Sequence, residues 1–216
     1  MGQPVALAAN ASRRTDGIAE SRRVKGLEKL TSVRLAEVLS QKGAIPAEAI
    51  TDALYAQEQT GEPFTHAILD GGHITEWDLA KIVTEVFQLP FLMAGSHSLD
   101  EDAKNLLPKE VLFENLIVPL EVFDGVLTLV MPILTPFDVL NRIQRESNLE
   151  IFPYVGLLSE NKKVLNENFR EFAKFHEELK KKREDAAQGK GAKAAGDWMS
   201  IFDAGEEAIQ SNLKKK

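Results

Sequence analysis

Apolar positions recur at helical spacing through the first third of the chain, then switch to short β-like runs. Val38 and Leu39 close a helical pattern that starts near Val24 and runs through Ser40. Gly43 ends it, as a residue tolerant of positive φ does at a helix terminus. Pro46 opens the next helix, where a missing N–H costs nothing, and Ile50, Ala53, Leu54 and Gln57 follow at i, i+3, i+4, i+7. Phe64, Ala67 and Ile68 then form a third stripe broken by Gly71-Gly72. Thr75 with Asp78 predicts a capped start to a fourth helix, whose buried face is Leu79, Ile82, Val83 and Val86.

After a connection from Gln88 to Asp102 the period changes. "LPKEVLFENL" reads as a helix, and "LIVPLEVFDGVLTLVMP" as two strands around an Asp124-Gly125 turn, where both residues tolerate positive φ. Pro119 inside the first run predicts an edge strand or a bend. "PFDVLNRIQRES" is an amphipathic helix and "LEIFPYVGLL" a further strand. A long helix is expected from Ser159 to Arg183, with Leu165, Phe169, Phe172, Phe175 and Leu179 on one side.

The expected fold is α+β. A helical subdomain of two repeated helix pairs (25–90) precedes a small α/β subdomain with a short, mainly antiparallel sheet (100–160). A charged helix (161–185), a small-residue linker (186–196) and an amphipathic tail segment (197–216) follow, and residues 1–24 form a flexible N-terminal tail. On that last segment Trp198, Phe202, Ile209 and Leu213 fall on one side. They are expected to dock back on the domain or to enter a partner's groove.

Composition narrows the chemistry. The 216 residues include no cysteine, which excludes disulfide frameworks, thiolate metal sites and Cys nucleophiles. No apolar run approaches the ~18 residues that span a bilayer, and the N-terminus lacks the pattern of a secretory leader, so a cytoplasmic protein is expected. Net charge is +3 over residues 1–33, −13 over 34–160 and +3 over 161–216. The acidic middle argues against nucleic-acid binding, which needs cations to displace phosphate counterions. "KKKR" (Lys180 to Arg183) stands where cations favour a helix C-terminus, among acidic neighbours. There is no phosphate loop, nucleophile elbow or H-E-x-x-H pair, so no catalytic residue is assigned and no enzyme is expected. His66, Asp70 and His73 would share a helix face only if the helix crossed Gly71-Gly72, so no metal is assigned to them.

Two stretches repeat: "RLAEVLSQKGAI" (Arg34 to Ile45) and "PFTHAILDGGHI" (Pro63 to Ile74). With its continuation to Gln57, the first resembles the repeated unit of the N-terminal, or MshEN, domain of type II secretion and type IV pilus assembly ATPases. That unit reads R-L-G-x-x, two apolar residues, x-x-G, two apolar residues, four variable residues, L-x-x-x-L-x-x-Q, and the family uses it twice across a five-residue spacer, here Glu58 to Glu62. The likeness continues through "LLPKEVLFENLIVPLEVFDGVLTLVM" and covers roughly residues 30–165. It implies the N-terminal module standing alone, without the ATPase.

In some members the paired units bind cyclic di-GMP, and no other cofactor is implied. The first unit here keeps Arg34, Leu35, Leu39, Gly43, Ile45, Ile50, Leu54 and Gln57, with Ala36 in place of glycine. The second keeps Ile68, Leu69, Gly72, Ile74 and Leu79, but has Pro63 for arginine, Phe64 for leucine, Thr65 for glycine and Val86 for glutamine. Losing one buried arginine contact costs about 2–3 kcal/mol, or about 30–100-fold in affinity. Two functions therefore stay open. The first is a non-catalytic interaction module for a secretion, pilus or cell-surface assembly, recruited to the inner membrane through its partner. The second is a weakened cyclic di-GMP sensor using Arg34, Leu35, Leu39, Gly43, Gln57, Phe64 and Gly72.

Overall fold

The computed structural model describes residues 26–186. The expected N-terminal tail, linker and amphipathic tail segment, with Trp198, Phe202, Ile209 and Leu213, lie outside the described residues.

Four helices build the repeat. Helix α1 (Ser32–Lys42) starts later than the apolar pattern suggests, because the Thr31 side chain accepts the Arg34 backbone N–H at 3.1 Å and fixes the first turn there. A 3₁₀ turn, Leu27–Lys29, precedes it. Helix α2 (Ala47–Thr60) follows Pro46, and α3 (Phe64–Asp70) follows Pro63. Helix α4 (Glu76–Phe87) is capped by Thr75, whose hydroxyl accepts the Asp78 N–H at 3.2 Å and donates to the Asp78 carboxylate at 2.6 Å. The two units end their first helices alike: Gly43 at φ 60° and Gly72 at φ 69° take the left-handed turn that a Cβ would strain.

Two short helices, α5 (Glu101–Leu106) and α6 (Lys109–Glu114), lead into the sheet. Strands β1 (Val118–Phe123) and β2 (Val126–Pro132) pair antiparallel across Asp124 and Gly125, both at positive φ. Strand β1 lies at the sheet edge and its register shifts between Pro119 and Glu121, as an imide nitrogen with no N–H to donate requires. Helix α7 (Phe137–Ser147) then crosses over to β3 (Glu150–Gly156), which runs parallel to β2. The sheet is thus mixed, one of its two pairings being parallel, because the α7 crossover returns the chain in the same direction. The expected connection Gln88 to Asp102 is partly structural: Leu92 N–H donates to Val155 O at 2.9 Å and Val155 N–H to Pro90 O at 2.8 Å, along the outer edge of β3.

The single helix expected over 161–185 comes in two pieces, α8 (Leu158–Asn168) and α9 (residues 172–186). No proline or glycine causes the interruption. Phe169 turns to extended geometry, so Phe169, Phe172 and Phe175 all meet Phe113 of α6, with ring centroids 5.4, 5.3 and 5.5 Å apart. Packing of one aromatic anchor overrides helix continuity here. The apolar side foreseen for this region persists across the break.

Repeat and sheet share one core, which includes Leu35, Leu39, Phe64, Leu79, Leu127 and Leu165. One polar link ties the halves and another fixes α8 to the sheet. Glu76 of α4 accepts the Ser159 N–H at 3.1 Å and its hydroxyl at 2.8 Å, capping α8 from 83 residues away. Fully buried Asn161 donates through Nδ2 to Leu116 O at 2.9 Å and to Val130 O at 3.0 Å, holding α8 on the sheet.

Candidate functional site

The seven residues of the nucleotide reading have different environments. Leu35 and Leu39 are completely buried and Phe64 nearly so. All three are core side chains of the helix pairs. Arg34 is exposed at the start of α1, and its guanidinium pairs with Glu37 at 2.9 Å. Gly43 and Gly72 serve helix termini, with open space where a Cβ would project. The Gln57 carbonyl oxygen is buried without a hydrogen-bond partner. At the second unit's arginine position, Pro63 caps α3 without a side-chain hydrogen bond.

A different set of residues converges on a cavity of about 420 Å³. One wall comes from the end of α2 and from α3, with Glu62, His66 and Asp70. The other comes from α8 and α9, with Lys162, His176 and Arg183. The chain spacing explains each wall. His66 and Asp70 stand four residues apart on one face of α3, with Glu62 in the link before it, and 176, 180 and 183 share one face of α9.

The electrostatics are coupled across the gap. His66 is 7% exposed, and its pKa falls from 6.5 to about 3, first through burial and then through the positive charges of Lys162 and Arg183. His176 is lowered in the same way, by burial and then Lys162, and its ring stacks on Phe172. Burial raises Glu62, assisted by Asp70, while burial lowers Arg183. Both imidazoles are thus neutral at pH 7. Because His66 has a depressed pKa in the folded state, it lowers stability as pH drops from its ordinary value of 6.5 toward about 3.

Sequence reasoning singled out His66 and Asp70 only as metal ligands. They do share α3, and His73 stands beyond Gly71-Gly72, past the helix end. Among the described residues no group of three or more His, Cys, Asp or Glu side chains is placed to hold a metal ion. The cavity itself went unforeseen, since Glu62 and Arg183 are brought together only by the tertiary fold. Its legible trace was the recurrence of titratable residues on one face of α3 and one face of α9.

Residues 87–172 match the family described as MshEN domain. The match spans less than half of the 216-residue chain. It takes in α5 to α8 and the whole sheet, and stops at the first residue of α9. The N-terminal domain of XpsE has a similar fold, at 22% identity and TM-score 0.50, covering 67% of this chain and 95% of that one. That share exceeds the MshEN segment, so the likeness extends to residues beyond 87–172. A structure of MshE with cdg aligns at 17% identity and TM-score 0.49, over 63% of this chain and 99% of that one. A comparison with curated proteins finds no match. Among the described residues no helix is long and apolar enough to cross a membrane.

Proposed function

We propose that this chain is a non-catalytic protein–protein interaction module of a secretion, pilus or related cell-surface assembly. The match of residues 87–172 to the MshEN domain carries this reading. The XpsE likeness, which is to an N-terminal domain, supports its fold. In the family resembled, this domain tethers a motor ATPase to other assembly components. The chain therefore works in the cytoplasm and reaches the inner membrane through its partner. Affinity capture from native cells tests this: enrichment of an assembly component over a charge-matched control protein supports it. Recovery of none of them, with the bait folded and in excess, counts against it.

The cyclic di-GMP reading is the weaker one for this chain. Leu35 and Leu39 are sealed in the core, and Pro63 offers no donor. Calorimetry with cyclic di-GMP at about 50 µM protein is expected to show no saturable heat, since the remaining contacts support only weak binding. Micromolar binding abolished by Arg34→Ala would reverse the order of the two readings.

A further inference from the structure

The cavity between the repeat and the C-terminal helices carries charges of both signs, and Glu62 and Arg183 attract one another across it without a direct ion pair. Among the described residues, Lys162 and Arg183 form no ion pair, and Glu62 and Asp70 form none either. Lys180 only approaches Glu184, at 4.0 Å. Asp70 is exposed, but Glu62, Lys162 and Arg183 are half-buried, and half-buried charges without a direct partner are costly unless something bridges them. Surface lysines and glutamates are often unpaired, but here Glu62 and Arg183 are both shifted toward their neutral forms by burial. A second observation sets this cavity apart from a solvated groove. His66, more than nine-tenths buried, lines it with a buried Nε2 that has no hydrogen-bond partner, and the His176 Nδ1 is likewise buried and unpartnered. Native structures seldom leave such atoms unmatched.

The separation of charge by wall indicates the ligand class. The repeat side is acidic, through Glu62 and Asp70, and the C-terminal side is mainly basic, through Lys162, Lys180 and Arg183, with Glu184 beside Lys180. A simple anion would satisfy one wall and be repelled by the other, and a metal cation would meet the reverse. We propose that this cavity binds a small zwitterion, its anionic end held by Lys162 and Arg183 and its ammonium end by Glu62 and Asp70. The neutral imidazoles hydrogen-bond the polar ends of the ligand, while its apolar body lies against the Leu158 side chain. Arg183 is suited to the anionic end because its planar fork matches a carboxylate. Binding also draws α3 and α9 together, so occupancy reports on how the C-terminal helix sits against the repeat.

The test uses the full chain and a ruler of probes: glycine, β-alanine, γ-aminobutyrate and ε-aminocaproate, followed by the imidazole resonances of His66 and His176. The expected result is a saturable shift whose affinity peaks at one spacer length. Butyrate and butylamine, each carrying one charge, should bind at least about tenfold more weakly at equal ionic strength. Arg183→Gln and Glu62→Gln should each reduce the affinity about tenfold while circular dichroism stays unchanged. No saturable shift, affinity independent of spacer length, or equal binding by butyrate alone would overturn the proposal. Because the readout is small-molecule binding, its failure leaves the protein-interaction reading standing, and failure of that reading leaves this one.

Discussion

Asn161→Asp should destabilise the fold by more than about 3 kcal/mol at pH 7. The substitution keeps the side-chain shape but exchanges the only donors for acceptors. Asn161 is fully buried, and its Nδ2 satisfies Leu116 O and Val130 O together. An ionised carboxylate there would face two carbonyl oxygens with no cation to offset it. Leaving buried acceptors unmatched costs about 1–3 kcal/mol each, before any charge is counted. The sign of the pH dependence follows. Burial and the carbonyl dipoles raise the new carboxyl above its unfolded value of about 3.9, so the variant's deficit grows as pH rises through that value. Urea unfolding at pH 4 and pH 7 should therefore give a larger gap from the parent at pH 7. Asn161→Ala, with no charge, should lose about 2 kcal/mol at both. A deficit below about 1 kcal/mol for the aspartate variant would mean that Asn161 does not tie α8 to the sheet.

Phe113→Ala should cost about 3–5 kcal/mol and loosen α9 selectively. Phe113 is buried, and three rings from the C-terminal region meet it edge-on. Two of them, Phe172 and Phe175, belong to α9. Outside this aromatic cluster α9 presents mostly charged residues, so removing the anchor takes away much of its apolar hold. Nearby, the Lys109–Glu171 ion pair is half exposed on both sides and adds little. Hydrogen exchange should show residues 172–186 losing protection well before β2. Uniform loss of protection across both would contradict the idea that Phe113 is the anchor of α9.

The parts of the fold that were legible in the sequence are those fixed by local chemistry. Asp124-Gly125 announced its turn because few other residue pairs accept positive φ twice running. Thr75 with Asp78 announced a helix start, and Pro119 an edge strand, for equally local reasons. The parallel pairing of β2 with β3 was less visible, since alternation along a strand does not state its direction. The break between α8 and α9 was invisible because it is caused by Phe113, more than fifty residues earlier in the chain.

The same distinction holds for function. Leu35, Leu39 and Phe64 fit a nucleotide-binding pattern and a folding pattern equally well, since both call for apolar residues at those places. Their complete or near-complete burial shows that folding already employs them. His66 was weighed only as a metal-ligand candidate, yet it is buried opposite Lys162 and Arg183. Each wall of the cavity has a readable helical spacing. The meeting of the walls depends on how α8 and α9 return to the repeat, which no local pattern encodes.

The interaction reading is tested most directly by titrating the purified full chain with purified cytoplasmic domains of the secretion and pilus components of its own organism. The predicted result is saturable one-to-one binding to one of them, with Kd about 10 µM or tighter. That binding should be unchanged by Arg34→Ala and independent of cyclic di-GMP. Absence of binding to every component at about 50 µM, or binding that requires the nucleotide and is lost with Arg34, would contradict it.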